Sequence, residues 1–335
     1  MIEENWGLLG HDWAVNMLRR HIQEDAVRHA YLFTGPPGVG RRSLALRFAQ
    51  ALNCPQPPAP GEACRACRTC TQIEAMQYPD LSILQAEHEG GTLKVEQIRA
   101  IQHGLSLKPY QGRYRVAIFL RFQEANPNAA NALLKTLEEA PAHVVLVVMA
   151  DNPDQLLPTI VSRCEGLRLR SLPVERVQTF IQSRGTDPDS ARLLAHLSGG
   201  RPGYALRLKD DPHGLELRTR WLDELHGILS SNRIRRFAYA EKLTRDKEET
   251  RQVLELWGSY WRDVMLFSSG SSIDLTNIDR MQEIESLGKM IDLSRARRLV
   301  MDIENGIDRL DKNVNARLLL EVLLLDWPFV GSERK

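Results

Sequence analysis

Residues 29–49 read His29-Ala30-Tyr31-Leu32-Phe33-Thr34-Gly35-Pro36-Pro37-Gly38-Val39-Gly40-Arg41-Arg42-Ser43-Leu44-Ala45-Leu46-Arg47-Phe48-Ala49. The first six predict a short buried strand, and Leu44 to Ala49 predict a helix. Between them lies a glycine-rich loop, and strand, loop and helix in that order form the context of a phosphate-binding loop. Gly35, Gly38 and Gly40 let the backbone wrap an anion, and the helix start offers free N–H groups and a positive dipole end. An ordinary glycine turn is the plain alternative. The motif's lysine slot holds Arg41, and the slot for the magnesium-ligating hydroxyl holds Arg42. Ser43 comes one residue late, on another side of the helix. Two guanidiniums are expected to crowd a site suited to one ammonium and one metal. The loop therefore keeps a nucleotide-binding shape with impaired or abolished ATP binding and no magnesium.

Outward from the loop, strand and helix signals alternate. An amphipathic helix is predicted over Trp13–Gln23, from Val15, Leu18 and Ile22. Strands are predicted at Asp80–Leu84, Tyr114–Leu120, Val144–Met149 and Leu167–Arg170. A helix carrying Val95, Ile98 and Ile101 lies between the first two, and Ala129–Ala140 forms another before Pro141. The pattern implies an α/β parallel sheet with flanking helices, and the wholly apolar end of Tyr114–Leu120 suits a central strand. In phosphate-loop ATPases that strand ends in the acidic residues that hold magnesium. Here it ends Leu120-Arg121-Phe122-Gln123, with Glu124 expected past the strand and facing elsewhere. Losses in both loop and strand predict a chain that does not hydrolyse ATP.

The chain has 335 residues, enough for two or three domains, and a net charge of +1. No global basic field advertises nucleic acid, so such contacts would need a local patch. No apolar run suits a membrane span, and Met1-Ile2-Glu3-Glu4-Asn5 lacks the regions of a signal peptide. A cytoplasmic protein without a membrane partner is expected. Of five cysteines, Cys54, Cys64, Cys67 and Cys70 lie in one short insertion around a proline-rich bridge. Four thiolates at that spacing suit a closed, structural tetrahedral zinc site, with free thiols or redox pairs as the alternative. Cys164 stands apart.

A last stretch reads Leu156-Leu157-Pro158-Thr159-Ile160-Val161-Ser162-Arg163-Cys164. It places Arg163 on a surface, just beyond the end of a buried strand. From spacing alone Arg163 is a solvated arginine on a helix between strands.

Four segments together carry a resemblance: His29–Phe33, the cysteine insertion, Asn131-Ala132-Leu133-Leu134-Lys135-Thr136-Leu137-Glu138-Glu139, and Ser162-Arg163-Cys164. In this order they resemble the clamp-loader subunits of bacterial DNA polymerase III, a family of gamma/tau motors and the non-motor delta-prime branch. Degenerate nucleotide motifs beside an intact Ser-Arg-Cys resemble the delta-prime branch. The resemblance implies an AAA+ module over 1–171 with a zinc lobe at 54–70, a helical lid over 172–208, and an all-α collar over 209–335. It implies a subunit that completes, with gamma/tau and delta partners, a ring that loads the sliding clamp on primer-template DNA. Arg163, with Ser162, would then be an arginine finger for a neighbour's ATP. Gly199–Leu206 resembles the lid motif, with Gly203 in the slot of the motors' nucleotide-reaching arginine and Arg201 two positions earlier. Ala150-Asp151-Asn152 replaces the motors' threonine-rich strand end. Two other readings stay open: a motor-type ATPase with an atypical loop, and a zinc-dependent DNA-binding module on an inactive ATPase fold.

Beyond Asp210 the chain turns helical and amphipathic. Trp221, Leu222, Leu225, Leu229, Leu254, Trp257 and Trp261 are read as core, and Ser268–Ser272 as a loop. Asn313–Leu325 resembles the family's collar helix. Its wide apolar surface suits burial within the domain and against neighbouring subunits.

Overall fold

The computed structural model describes residues 4–88, 90–312 and 314–330. Met1, Ile2 and Glu3 of the leader reading and Asn313 of the collar-helix reading lie outside them. Two compact units emerge, the first running to Pro173 and including Gly200–Tyr204, the second taking Val174–Gly199 and the chain from Ala205 onward. Residues 172–208, read from the sequence as one lid, thus contribute to both.

The first unit runs α1 (Asp12–Gln23), β1 (Ala30–Thr34), α2 (Arg41–Asn53), α3 (Arg68–Glu74), β2 (Leu81–Leu84), α4 (Val95–Leu105), β3 (Arg115–Phe119), α5 (Pro127–Glu138), β4 (Val144–Ala150), α6 (Pro158–Val161) and β5 (Glu165–Arg168). Its five strands are parallel, in the order β2-β3-β4-β1-β5. The middle strand is therefore β4, and β3 lies one position from the edge. The α/β reading holds, with the centre moved by one strand.

Alternation along the strands explains why their sequences are apolar throughout. Tyr31, Phe33, Val116, Ile118, Val145 and Val147 face one core with residues of α1 and α2. Leu32, Ala117, Phe119, Leu146 and Val148 face the other, with residues of α4 and α5. Both faces are covered, so no polar alternation survives.

Element ends differ from the sequence reading where caps decide. The α5 helix starts at Pro127 because the Asn126 side chain accepts the Ala129 N–H and proline suits the first helical position. It ends at Glu138, ahead of Pro141. The last strand is Glu165–Arg168 rather than Leu167–Arg170, since its pairing with β1 begins at Tyr31 opposite Glu165. As an edge strand it needs backbone partners on one side only.

Asp80 anchors the loop that feeds β3. Its buried carboxylate accepts the N–H groups of Tyr110, Gln111 and Gly112 at 2.7–2.9 Å. Burial pushes its carboxyl up, but those N–H groups and Arg115 outweigh it and hold it below the usual carboxylate range. A depressed folded pKa stabilises above the unfolded value of about 3.9 and is lost as pH falls through the folded one. Asp80→Ala should cost about 1–3 kcal/mol at neutral pH by orphaning the loop's donors. Denaturant titration should show that difference shrinking toward pH 3, and a pH-independent cost would contradict the assignment.

The second unit is all helical, with α7 (Val174–Gln182), α8 (Pro188–Leu197), α10 (Pro212–Leu229), α11 (Arg233–Leu243), α12 (Lys247–Ser268), α13 (Met281–Met290), α14 (Leu293–Asp311) and α15 (Ala316–Asp326); α9 (Pro202–Lys209) begins in the first unit. Ser268, read as loop, is the last residue of α12. The residues proposed as core from Trp221 to Trp261 are all buried. Arg236 is buried among them and donates to the carbonyls of Leu324, Trp327 and Pro328 at 2.6–3.0 Å. The negative end of α15 thus offsets a guanidinium charge taken out of water. On α15, Leu320 and Leu324 are buried whereas Leu318 and Val322 are 59% and 52% exposed.

Candidate functional site

The carboxyl ends of β1 and β4 lie side by side, with Thr34 paired to Ala150 and the Gly35 N–H donating to the Asp151 carbonyl at 3.2 Å. In open parallel sheets this edge is where ligands sit. The phosphate loop leaves β1 here, and Gly35, Gly38 and Gly40 all have positive φ. Gly38 has φ +83°, and a Cβ on it would lie 2.8 Å from Tyr204, so only glycine fits that close approach. The Gly203 N–H donates to the Gly38 carbonyl at 2.9 Å, and the Arg201 guanidinium lies 4.5 Å from the centre of the Tyr204 ring. His11 Nε2 adds a hydrogen bond to the Val39 carbonyl at 3.0 Å.

The two arginines of the loop part company rather than crowd one site. Arg41, in the lysine slot, turns to the end of β4 and pairs with Asp151 at 2.5 Å, its side chain only 10% exposed. Arg42 turns outward to the Met76 sulfur, and Ser43 is exposed. The crowding expected of two guanidiniums at a site suited to one ammonium and one metal does not occur. Consecutive helical residues point about 100° apart, and each found its own partner.

At the end of β3, Arg121 has φ +46°, unusual for a side chain other than glycine. Its Nε donates to Glu124 at 2.8 Å, and Glu124 also accepts the Gly90 N–H at 3.0 Å. Glu124, the first carboxylate past the strand, is thus held by local partners.

Arg163 sits in the turn between α6 and β5. That is thirteen positions past the end of β4, with Pro153 and Pro158 each starting a short helix in between. Its NH1 donates to the Thr159 carbonyl at 3.0 Å and its NH2 pairs with Glu138 at 2.6 Å. Arg163 and Glu138 are 36% and 50% exposed. Ser162 donates to the same Thr159 carbonyl at 3.3 Å. Burial alone pushes the neighbouring Cys164 thiol up to about 12.

The four cysteines of the insertion converge, with all Sγ atoms within 4.8 Å of one another. Cys54 and Cys64 lie 3.5 Å apart and Cys64 and Cys70 3.9 Å. A tetrahedral ion with metal–sulfur bonds of about 2.3 Å would set its sulfurs about 3.8 Å apart. The donor set therefore fits a metal ion such as zinc. N–H groups of Cys64, Cys67 and Cys70 point at the sulfurs of Cys54, Cys64 and Cys67. Backbone N–H groups of Ala66 and Cys67 pull the Cys64 thiol down to about 6, whereas burial pushes Cys54 and Cys70 up. A dication would offset that burial by taking all four as thiolates. Trp6 Nε1 on the Gly61 carbonyl, Arg19 on Glu62 and Gln50 on the Cys70 carbonyl stitch the lobe to the rest of the unit.

Comparison with known proteins finds two family matches: DNA polymerase III, delta subunit, over residues 10–173, and its C-terminal counterpart over 212–328. The DNA polymerase III subunit delta' of Pseudomonas aeruginosa is 30% identical over 317 residues, 89% of this chain and 91% of that one. The chain belongs to the delta' family of DNA polymerase III subunits. The Bacillus subtilis delta' subunit is 29% identical over 315 residues, 93% of this chain and 94% of its own length. A tau subunit of Escherichia coli is 31% identical over 209 residues, only 32% of its length. Relative to the delta' family, the first match spans the phosphate loop, the cysteine lobe and Arg163, and the second spans α10 to α15. The sheet and helices of the first unit are those of the AAA+ clamp-loader fold. Sequence reasoning named the loop, cysteine and Ser162-Arg163 positions; it missed Asp151 as the partner of Arg41 and Glu138 as that of Arg163. No helix among the described residues is long and apolar enough to cross a membrane.

Proposed function

We propose that the chain is a non-motor subunit of the cytoplasmic clamp loader. With gamma/tau and delta partners it completes the ring that places the sliding clamp on primer-template DNA. Its AAA+ module, lid and collar would serve assembly, and Arg163 would reach the ATP of an adjacent motor. The observation that carries this reading is the contrast between the two arginines. Arg41, in the slot that would grip a phosphate in cis, is buried against Asp151, while Arg163 lies at the surface in the Ser-Arg-Cys segment. The exposed Leu318 and Val322 of α15 support a collar role, since apolar surface of that kind favours a partner helix. Cys54, Cys64, Cys67 and Cys70 would hold one structural zinc, which cross-links a lobe too small for its own core.

The isolated chain should show no magnesium-dependent ATP turnover. Arg41, Arg42 and the Leu120-Arg121 strand end stand where lysine, hydroxyl and carboxylate would be needed. Steady turnover abolished by Arg41→Ala would sink this and favour a motor-type subunit. Salt-dependent DNA binding by the isolated chain, lost with the cysteine lobe, would favour a DNA-binding zinc module instead.

A further inference from the structure

Glu138 is the last residue of α5, where a carboxylate meets the negative end of the helix dipole. The contact described for it is Arg163, which in turn spends one N–H on Glu138 and one on the Thr159 carbonyl. The guanidinium is thereby folded back on its own subunit, against a charge that competes with any phosphate. We propose that Glu138 is a positioning residue for Arg163: it stows the guanidinium until a neighbour's ATP draws it away. The inference rests on the arginine-finger reading above and adds its regulation.

The chemistry of the pair suits a latch that opens. Both partners are part-exposed, so water screens their attraction and the contact is weak. A nucleotide's terminal phosphate carries more negative charge than one carboxylate and accepts two N–H groups of a guanidinium at once. It therefore outcompetes Glu138 when the neighbour is loaded, and loses to it when the neighbouring site is empty or holds a product lacking that phosphate. The guanidinium is one rigid plane, so swinging toward a phosphate carries NH1 off the Thr159 carbonyl together with NH2 off Glu138.

Glu138→Gln keeps shape and removes the charge. In clamp loaders reconstituted with this subunit at matched assembly, the variant should lower the ATP KM of the site facing it about twofold to fivefold, the range an exposed ion pair spans, with kcat little changed. The double variant with Arg163→Ala should behave as Arg163→Ala alone, since there is nothing left to stow. A fall in kcat for Glu138→Gln, an unchanged KM, or an effect that persists in the double variant would overturn the latch. If Arg163→Ala itself left ATPase and clamp loading intact, the finger reading would fail first, independently of Glu138.

Discussion

If the four cysteines hold zinc as proposed, Cys67→Ser should abolish metal binding and loosen the lobe while leaving the sheet folded. Cys67 is the N-cap of α3, where its sulfur accepts the Cys70 N–H at 3.5 Å. Serine is a preferred N-cap residue, so the change keeps the helix start and removes the thiolate. The four sulfurs lie within 4.8 Å, and burial keeps Cys54 and Cys70 as neutral thiols unless a dication draws all four into thiolates. Structural zinc contributes about 10–16 kcal/mol of apparent binding energy in small metal-folded peptides. Less of it reaches global stability here, because Trp6, Arg19 and Gln50 also hold the lobe. Protein purified without added metal should carry one zinc per chain by elemental analysis. The variant should carry almost none, melt several degrees lower, and become protease-sensitive between residues 54 and 76. Chelation of the wild type should do the same. Unchanged metal content and melting temperature in Cys67→Ser would remove zinc from the account.

The parts of the fold legible in the sequence were those fixed by local pattern. Ala30–Thr34 and Val144–Ala150 are apolar on both faces, and the glycines between β1 and α2 need positive φ, so strand, loop and helix could be read directly. Boundaries set by caps or by edge pairing drifted, as at Pro127 and Glu165. The cysteine cluster was legible because its four thiols lie within seventeen residues of chain. What sequence could not give was which carboxylate holds which arginine. Asp151 lies 110 positions from Arg41 and Glu138 lies 25 from Arg163. Their meeting depends on β4 lying beside β1 and on α5 ending beside the α6 turn. The strand order would have pointed to Asp151, since it directly follows β4, the strand paired with β1 where the phosphate loop begins.

Arg163→Ala is expected to have the largest catalytic effect of any single change in this chain. As ATP is cleaved, negative charge builds on the oxygens around the γ-phosphorus. A guanidinium brought close stabilises that state more than the ground state. An arginine supplied in trans to other nucleotide hydrolases is worth about 10³–10⁵ in rate. The substitution removes one weak surface pair with Glu138 and a bond to the Thr159 carbonyl, so folding and assembly should be unaffected. On the proposed reading, only the ATP site facing this subunit would lose its arginine. Total ATPase should therefore fall in part, while clamp loading should fall further if the sites act together. Lysine should restore little, since it lacks the planar fork.

The most direct test is ATPase and clamp loading measured on loaders reconstituted with wild-type, Arg163→Ala or Arg163→Lys subunit, at matched assembly and with primed DNA and clamp present. The account predicts a partial loss of ATPase, a steeper loss of clamp loading, and poor rescue by lysine. Wild-type rates on both measures for Arg163→Ala would contradict it and leave Arg163 an ordinary surface residue.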